Sequence, residues 1–294
     1  MTDYLAELNQ AQREAVLHKE GPLLIVAGAG AGKTKTLTHR ILHLVRQGVE
    51  PRSILAITFT NKAAGELRER LQKLLASDDL PFASTFHSFG VFVLRNEAER
   101  LGLKKNFSIF DRDESLKTIK EGIKSLGLDP KTLAPRKVLN TISRAKSAGQ
   151  NRNSFLESTT SNSFFQKTVG QVWQKYNEGL REAGALDFDD LLAETVRLFR
   201  ERPEILGEYQ KRFRYIHIDE YQDTNTIQYD LARLLAAAHR NVCVVGDVDQ
   251  SIYSWRGADF ENLLRFEEDY PEARVVTLEE NYRSTQNILA AANA

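Results

Sequence analysis

Past a short polar N-terminal stretch, the chain sets brief apolar runs between longer amphipathic ones. Leu23 to Ala27 is a continuous apolar run of strand length, closed by a glycine-rich turn. Apolar positions then recur at helical spacing from Lys33 to about Arg46. A second strand is predicted for Ile54 to Phe59, and a second helix from Lys62 to about Ala76. Similar strands return at Tyr215 to Ile218, Val242 to Val245 and Arg274 to Thr277. Strands alternating with helices predict a parallel sheet with crossover connections. From about Val91 to Asp190 the pattern is mostly helical, and Ser147 to Ser163, rich in Ser, Asn and Gln, reads as loop. The simplest architecture is one α/β domain interrupted by a helical insertion. Its first part is expected at residues 1–90, the insertion at 91–190 and its second part at 191–294.

Composition narrows the class. The 294 residues are 41% hydrophobic and 27% charged, which excludes a disordered or fibrous chain. Cys243 is the single cysteine, so neither an intrachain disulfide nor a cysteine-based zinc site can form. The first ten residues lack the basic and apolar parts of a signal peptide, and no apolar run approaches the ~20 residues that span a bilayer. The expectation is a soluble cytoplasmic protein with no membrane or disulfide partner. Lys+Arg and Asp+Glu balance at 40 each, so only local charge bears on partners. One local asymmetry stands out. Between Asp129 and Glu157 there is no acid, while Lys131, Arg136, Lys137, Arg144, Lys146 and Arg152 fall in the gap. This is either a solvated helix face or a surface that contacts phosphates.

The strongest chemical signal is Ala27-Gly28-Ala29-Gly30-Ala31-Gly32-Lys33-Thr34, set between a predicted strand and a predicted helix. That context identifies a phosphate-binding P-loop. Small residues let backbone N–H groups close around phosphate oxygens, and the helix N-terminus adds its positive dipole end. Lys33 would reach the β- and γ-phosphates of a nucleotide, and the Thr34 hydroxyl would bind Mg²⁺. The strict pattern has Gly where this chain has Ala27. A second signal is Tyr215-Ile216-His217-Ile218-Asp219-Glu220, an apolar strand that delivers adjacent carboxylates at its C-terminal end. Asp219 suits the Mg²⁺ role and Glu220 the activation of an attacking water. A third is Val245-Gly246-Asp247-Val248-Asp249-Gln250, where Gln250 can hydrogen-bond a γ-phosphate or that water.

Taken together, these residues resemble superfamily 1 DNA helicases of the UvrD/Rep/PcrA type, and the resemblance extends over nearly the whole chain. Leu8-Asn9-Gln10-Ala11-Gln12 is similar to the Q motif and Thr58-Phe59-Thr60-Asn61-Lys62-Ala63-Ala64 to motif Ia. Thr85-Phe86-His87-Ser88-Phe89 resembles the next single-strand-binding motif, and Leu186-Asp187-Phe188-Asp189-Asp190-Leu191-Leu192 the short motif before the second strand signal. Asp219 to Thr224 resembles motif II, Gly246 to Asp259 motif III, and Asn281-Tyr282-Arg283-Ser284-Thr285 motif IV.

The resemblance implies a RecA-like domain with a helical insertion, and ATP-driven 3′-to-5′ movement on single-stranded DNA in repair or replication. It implies that Gln12 reads adenine, that Tyr282 stacks on it, and that Arg283 contacts the γ-phosphate. It places Phe59, Asn61, His87, Tyr253, Trp255 and Arg256 near the single strand, where aromatic faces stack on any base. Lys35 stands where the family usually has Arg, and an ammonium cannot reproduce the planar fork of a guanidinium. The family continues past motif IV into a second motor domain, so the chain reads as the front half of a helicase, expected to show weak ATPase and no unwinding by itself. The alternatives are the front half of a helicase–nuclease subunit of the AddA/RecB kind, a P-loop phosphotransferase, or a non-catalytic DNA-binding module.

Overall fold

The computed structural model describes residues 3–158, 164–247, 250 and 261–285. In chain order it begins with α1 (Gln10–Leu17), β1 (Leu23–Ala27), α2 (Lys33–Arg46), β2 (Ile54–Thr58), α3 (Asn61–Leu75) and β3 (Phe82–Thr85). A helical stretch follows: α4 (Phe86–Asn96), β4 (Ser108–Phe110), α5 (Arg112–Ser125), α6 (Pro135–Ser147), α7 (Arg152–Glu157), α8 (Phe164–Ala183), β5 (Ala185–Asp187) and α9 (Asp190–Glu201). The remainder is α10 (Pro203–Arg212), β6 (Tyr215–Ile218), α11 (Thr226–Ala236), β7 (Val242–Gly246), α12 (Glu261–Asp269) and β8 (Arg274–Leu278).

Backbone contacts divide these residues into two compact units. The first holds the described residues up to Phe86, Arg202–Thr224 and those from Ala232 onward, and the second holds His87–Glu201 and Asn225–Leu231. The first unit is built on a six-stranded sheet of order β3-β2-β6-β7-β1-β8. Every pairing in it is parallel. β1, β2, β6 and β7 are almost wholly buried, which is why they read as unbroken apolar runs and not as alternating ones. Leu23, Ile25, Leu37, Val245 and Val276 pack in one core cluster, and Ile41, Ile54, Ala56, Leu67 and Tyr215 in another. A parallel sheet gathers all its strand C-termini at one edge, so the turns after β1, β6 and β7 lie side by side. The α/β class and the parallel sheet are as expected from the sequence.

The second unit centres on a cluster that includes Ile119, Ile142, Val172, Trp173 and Tyr176. It also contains a parallel pair, β4 with β5, which the helical pattern hides. β3 was likewise not expected. The expected loop from Ser147 to Ser163 is corrected in part: α7 begins after Asn151, whose side chain accepts from the Asn153 and Ser154 N–H groups in a capping box. Phe155 of α7 is buried edge-on against Trp173, with ring centroids 5.7 Å apart. Residues 159–163 of that stretch lie outside the described residues. Among the described residues no helix is long and apolar enough to cross a membrane.

Candidate active site

The turn from β1 into α2 depends on two left-handed glycines, Gly30 at φ +75° and Gly32 at φ +81°. Gly32 is the N-cap of α2, so the loop passes directly into the positive end of the helix. Ala27, the departure from the strict motif, is the last residue of β1 and is buried in the sheet core, where a methyl group packs. Ala31 is buried as well, while Gly28 and Ala29 form the outer part of the turn.

Lys33 and Thr34 open α2 and meet the tips of β6 and β7. The Lys33 ammonium is nearly buried, 3.5 Å from Glu220 Oε2, 3.5 Å from Asp247 Oδ2 and 3.4 Å from Gln250 Oε1. Thr34 Oγ1 lies 3.5 Å from Asp219 Oδ2. Thus Lys33, Thr34, Asp219, Glu220 and Gln250, from three separate segments, converge on one point. Burial, and then the charge of Glu220, push the Asp219 carboxyl up to about 6, and the same causes in the same order raise Asp223 to about 6. Crowded carboxylates that resist losing their protons suit a place where a cation binds. Thr34 and Asp219 offer hard oxygen donors, and among the described residues no cluster of three or more His, Cys, Asp or Glu could form a full protein cage. A site with few protein ligands fits Mg²⁺, which keeps waters and phosphate oxygens in its shell.

Glu220 itself has φ +53°, a left-handed conformation that costs a non-glycine residue ~1–2 kcal/mol. Its side chain is held by Gln222, whose Nε2 donates to Glu220 Oε2 at 2.8 Å. The other end of Gln222 accepts from the Asp247 N–H at 3.0 Å, tying the turn after β6 to the end of β7. Gln222 and Asp247 were absent from the expected site residues. Gln222 is signalled in the sequence by membership of motif II, and Asp247 by its place at the end of an apolar strand within motif III.

The segment after β8 docks on the phosphate loop. Asn281 Nδ2 donates to Ala29 O at 2.6 Å and Tyr282 N to Gly30 O at 3.0 Å. Asn281 Oδ1 also accepts from the Arg283 and Ser284 N–H groups, each at 2.8 Å, so Asn281 shapes the turn that presents Arg283. Asn281 too was absent from the expected site. Arg283 is exposed, with its Cβ above Gly30. Tyr282 is exposed, donating its hydroxyl to Glu280 Oε2 at 2.6 Å and accepting from Asn9 Nδ2 at 2.9 Å. Gln12 is buried; its Oε1 accepts from Asn9 N and its Nε2 donates to Ala31 O at 3.1 Å, which fastens α1 to the phosphate loop. The Lys35 ammonium donates to Glu7 O at 2.9 Å and faces the Glu7 carboxylate at 3.4 Å.

The residues expected near a single strand fall in separate places. Phe59 is half-buried just past β2, and Asn61 is exposed at the start of α3. In the second unit, His87 stacks face to face on Phe188, with ring centroids 3.8 Å apart and planes 20° apart. Burial pushes His87 down to about 4, so its ring is neutral near pH 7. Phe188 is exposed, a solvent-facing aromatic whose sequence signal is its place in the Leu186–Leu192 motif and which lies outside the expected site residues. Tyr253, Trp255 and Arg256 lie outside the described residues. The basic gap is corrected at two positions. Lys146 is buried between Asp187 and Asp190, and half-buried Arg152 donates to Gly170 O at 2.8 Å, whereas Lys131, Arg136, Lys137 and Arg144 remain exposed.

Comparison with known proteins bears on the family of the chain as a whole. The family description "UvrD/REP helicase N-terminal domain" matches residues 8–271. The chain is 50% identical over 292 residues to the ATP-dependent DNA helicase PcrA of Bacillus subtilis, covering 98% of this chain and 39% of that protein. It is 48% identical over 295 residues to PcrA of Staphylococcus aureus, covering 100% of this chain and 40% of the relative. With PcrA of Leuconostoc citreum it shares 50% identity over 291 residues, 98% of this chain and 38% of the relative. The chain thus spans about 40% of the length of the curated relatives it matches.

Proposed function

The chain belongs to the UvrD/REP helicase family, and on that premise we propose that it forms the ATP-binding part of a 3′-to-5′ helicase or translocase acting on single-stranded DNA in the bacterial cytoplasm. The observation that carries this reading is the convergence of Lys33, Thr34, Asp219, Glu220 and Gln250 at the C-terminal edge of one parallel sheet. Family membership leaves no place for the phosphotransferase alternative, and the PcrA relatives favour a helicase over a helicase–nuclease subunit. The division into residues 1–90, 91–190 and 191–294 stays part of the proposal: a RecA-like domain interrupted by an insertion.

In this reading the backbone from Gly28 to Gly32 cradles the phosphates, and the Lys33 ammonium neutralises the β- and γ-phosphate oxygens. Mg²⁺, held by Thr34 and Asp219, would supply further charge neutralisation on those oxygens. Glu220 takes a proton from the attacking water as its oxygen bonds to the γ-phosphorus, while the bond to the bridging oxygen breaks and ADP leaves with the electron pair. Gln250 orients that water or a γ-oxygen, and Gln222 keeps Glu220 in place. Arg283 meets the γ-phosphate from the segment that Asn281 docks on the loop. Tyr282 supplies an aromatic face for adenine beside Gln12, and Lys35, already held by Glu7, contributes charge without a fork.

DNA meets Phe59, Asn61, His87, Tyr253, Trp255 and Arg256, and the stacking of exposed Phe188 on His87 supports including Phe188 among them. Stacking at ~1–3 kcal/mol per base makes such binding indifferent to sequence. Movement along DNA requires two domains that close on ATP and reopen. The described residues contain one P-loop domain, so the 294-residue polypeptide alone is expected to turn ATP over slowly and to leave a 3′-tailed duplex intact. Titration of this polypeptide with labelled oligothymidine tests the reading. Single strands are expected to bind more tightly than blunt duplex, with affinity falling steeply as salt rises. A flat salt series, or a preference for blunt duplex, contradicts it.

A further inference from the structure

Away from the nucleotide site, the second unit buries another charge cluster. α6 presents Ser143 and Lys146, one turn apart, toward the turn between β5 and α9. Lys146 Nζ lies 2.6 Å from Asp187 Oδ2 and 2.7 Å from Asp190 Oδ1, and the lysine side chain is 4% exposed. Tyr176 of α8 donates its hydroxyl to the same Asp187 oxygen at 2.9 Å. The two aspartates also cross-link their own turn: Asp190 N donates to Asp187 Oδ1 at 2.7 Å and Asp187 N to Asp190 Oδ2 at 3.2 Å. The Ser143 hydroxyl serves Asp189. Every carboxylate of the turn is therefore tied down, and the remaining residue of residues 187–190 is Phe188, 56% exposed and flat against His87.

Stability alone does not explain this design. An ion cluster taken out of water costs its hydration, and a well-packed apolar replacement is often as stable. What fixed charges and short hydrogen bonds provide is one geometry for the backbone they hold. Here the backbone so held carries an exposed aromatic ring in stacking register with a second ring. We propose that Lys146 is a positioning residue for single-stranded DNA binding: by clamping Asp187 and Asp190 it holds Phe188 outward and parallel to His87, as one platform for a base. The inference rests on the reading of His87 and Phe188 as a base-stacking surface.

The test uses the 294-residue chain and fluorescein-labelled oligothymidine, with affinity read by anisotropy at one salt concentration. Phe188→Ala is expected to weaken binding by roughly 5- to 100-fold. Lys146→Met should weaken it comparably, and the double variant should bind no more weakly than Phe188→Ala, because the lysine acts through the ring. Tyr176→Phe, which removes one donor to Asp187 and keeps the aromatic packing, should show a smaller loss that also vanishes beside Phe188→Ala. It serves as the test if Lys146→Met does not fold. Losses that add in the double variants overturn the proposal, as does parental affinity in folded Lys146→Met or Tyr176→Phe when Phe188→Ala is weak. Parental affinity in Phe188→Ala overturns the stacking reading itself, and the positioning role with it.

Discussion

Replacing Gly30 by alanine probes how the segment after β8 is held on the phosphate loop. Gly30 has φ +75°, and a Cβ added there would lie 2.7 Å from Arg283 Cβ and 2.7 Å from Asn281 Oδ1. The left-handed backbone costs an alanine ~1–2 kcal/mol. Relieving the clash by moving residues 281–284 breaks the bonds from Asn281 to Ala29 O and from Tyr282 N to Gly30 O. At ~0.5–1.5 kcal/mol each, those bonds bring the total to about 2–5 kcal/mol. Gly28→Ala is the control, since Gly28 has no positive φ and nothing lies within 4 Å of its added Cβ. Urea unfolding compares the stabilities, and amide exchange follows Tyr282 and Ser284, whose N–H groups are bonded in this docking. Gly30→Ala should lose about 2–5 kcal/mol and exchange faster at both amides, while Gly28→Ala stays within ~0.5 kcal/mol of the parent. Equal stability and equal exchange in the two variants would refute the docking.

Glu220→Gln should retain ATP binding, because Lys33 and the phosphate loop are untouched, and should lower the slow turnover by ~10²–10⁴-fold, the usual worth of a general base. A phosphate-release assay beside a nucleotide titration checks both parts, and unchanged turnover removes Glu220 from the chemistry. His87 predicts a component of acid lability. Its folded-state value is about 4 against an ordinary 6.5, lowered by burial, so the unfolded chain takes up the proton first as pH falls. Stability is therefore full above 6.5 and is lost as pH drops from 6.5 to about 4. Chemical unfolding across that range should show a shallower slope for His87→Gln than for the parent, and parallel slopes count against the burial of His87.

The nucleotide site was legible because its parts are local in sequence. Glycines before Lys33 and Thr34, and an apolar strand before Asp219 and Glu220, carry their geometry with them. Partners that meet only through folding were not legible. Gln222 and Asn281 stand inside motifs II and IV, yet which backbone groups they hold depends on the turn after β6 lying beside β7, and on the segment after β8 lying over the loop. Lys146 looked like a surface cation because its partners, Asp187 and Asp190, come some forty residues later. β3 is a short edge strand with Ser and Thr in it, too brief and too polar to stand out from its motif. α7 was misread because Asn and Ser favour loops and helix N-caps alike, and the capping box of Asn151 decided for the helix.

Nucleotide affinity at Lys33 tests the central claim most directly. The Lys33 ammonium sits among Glu220, Asp247 and Gln250, where it is the group that meets the phosphates in the proposed site. A charge-assisted contact is worth ~1.5–3 kcal/mol, or roughly 10- to 100-fold in affinity. Titration of the 294-residue chain with a fluorescent ATP analogue in Mg²⁺ should show saturable binding, weakened by that factor in Lys33→Ala with the fold intact. Equal affinity in variant and parent would contradict the assignment of the phosphate loop, and with it the proposed ATP-driven function.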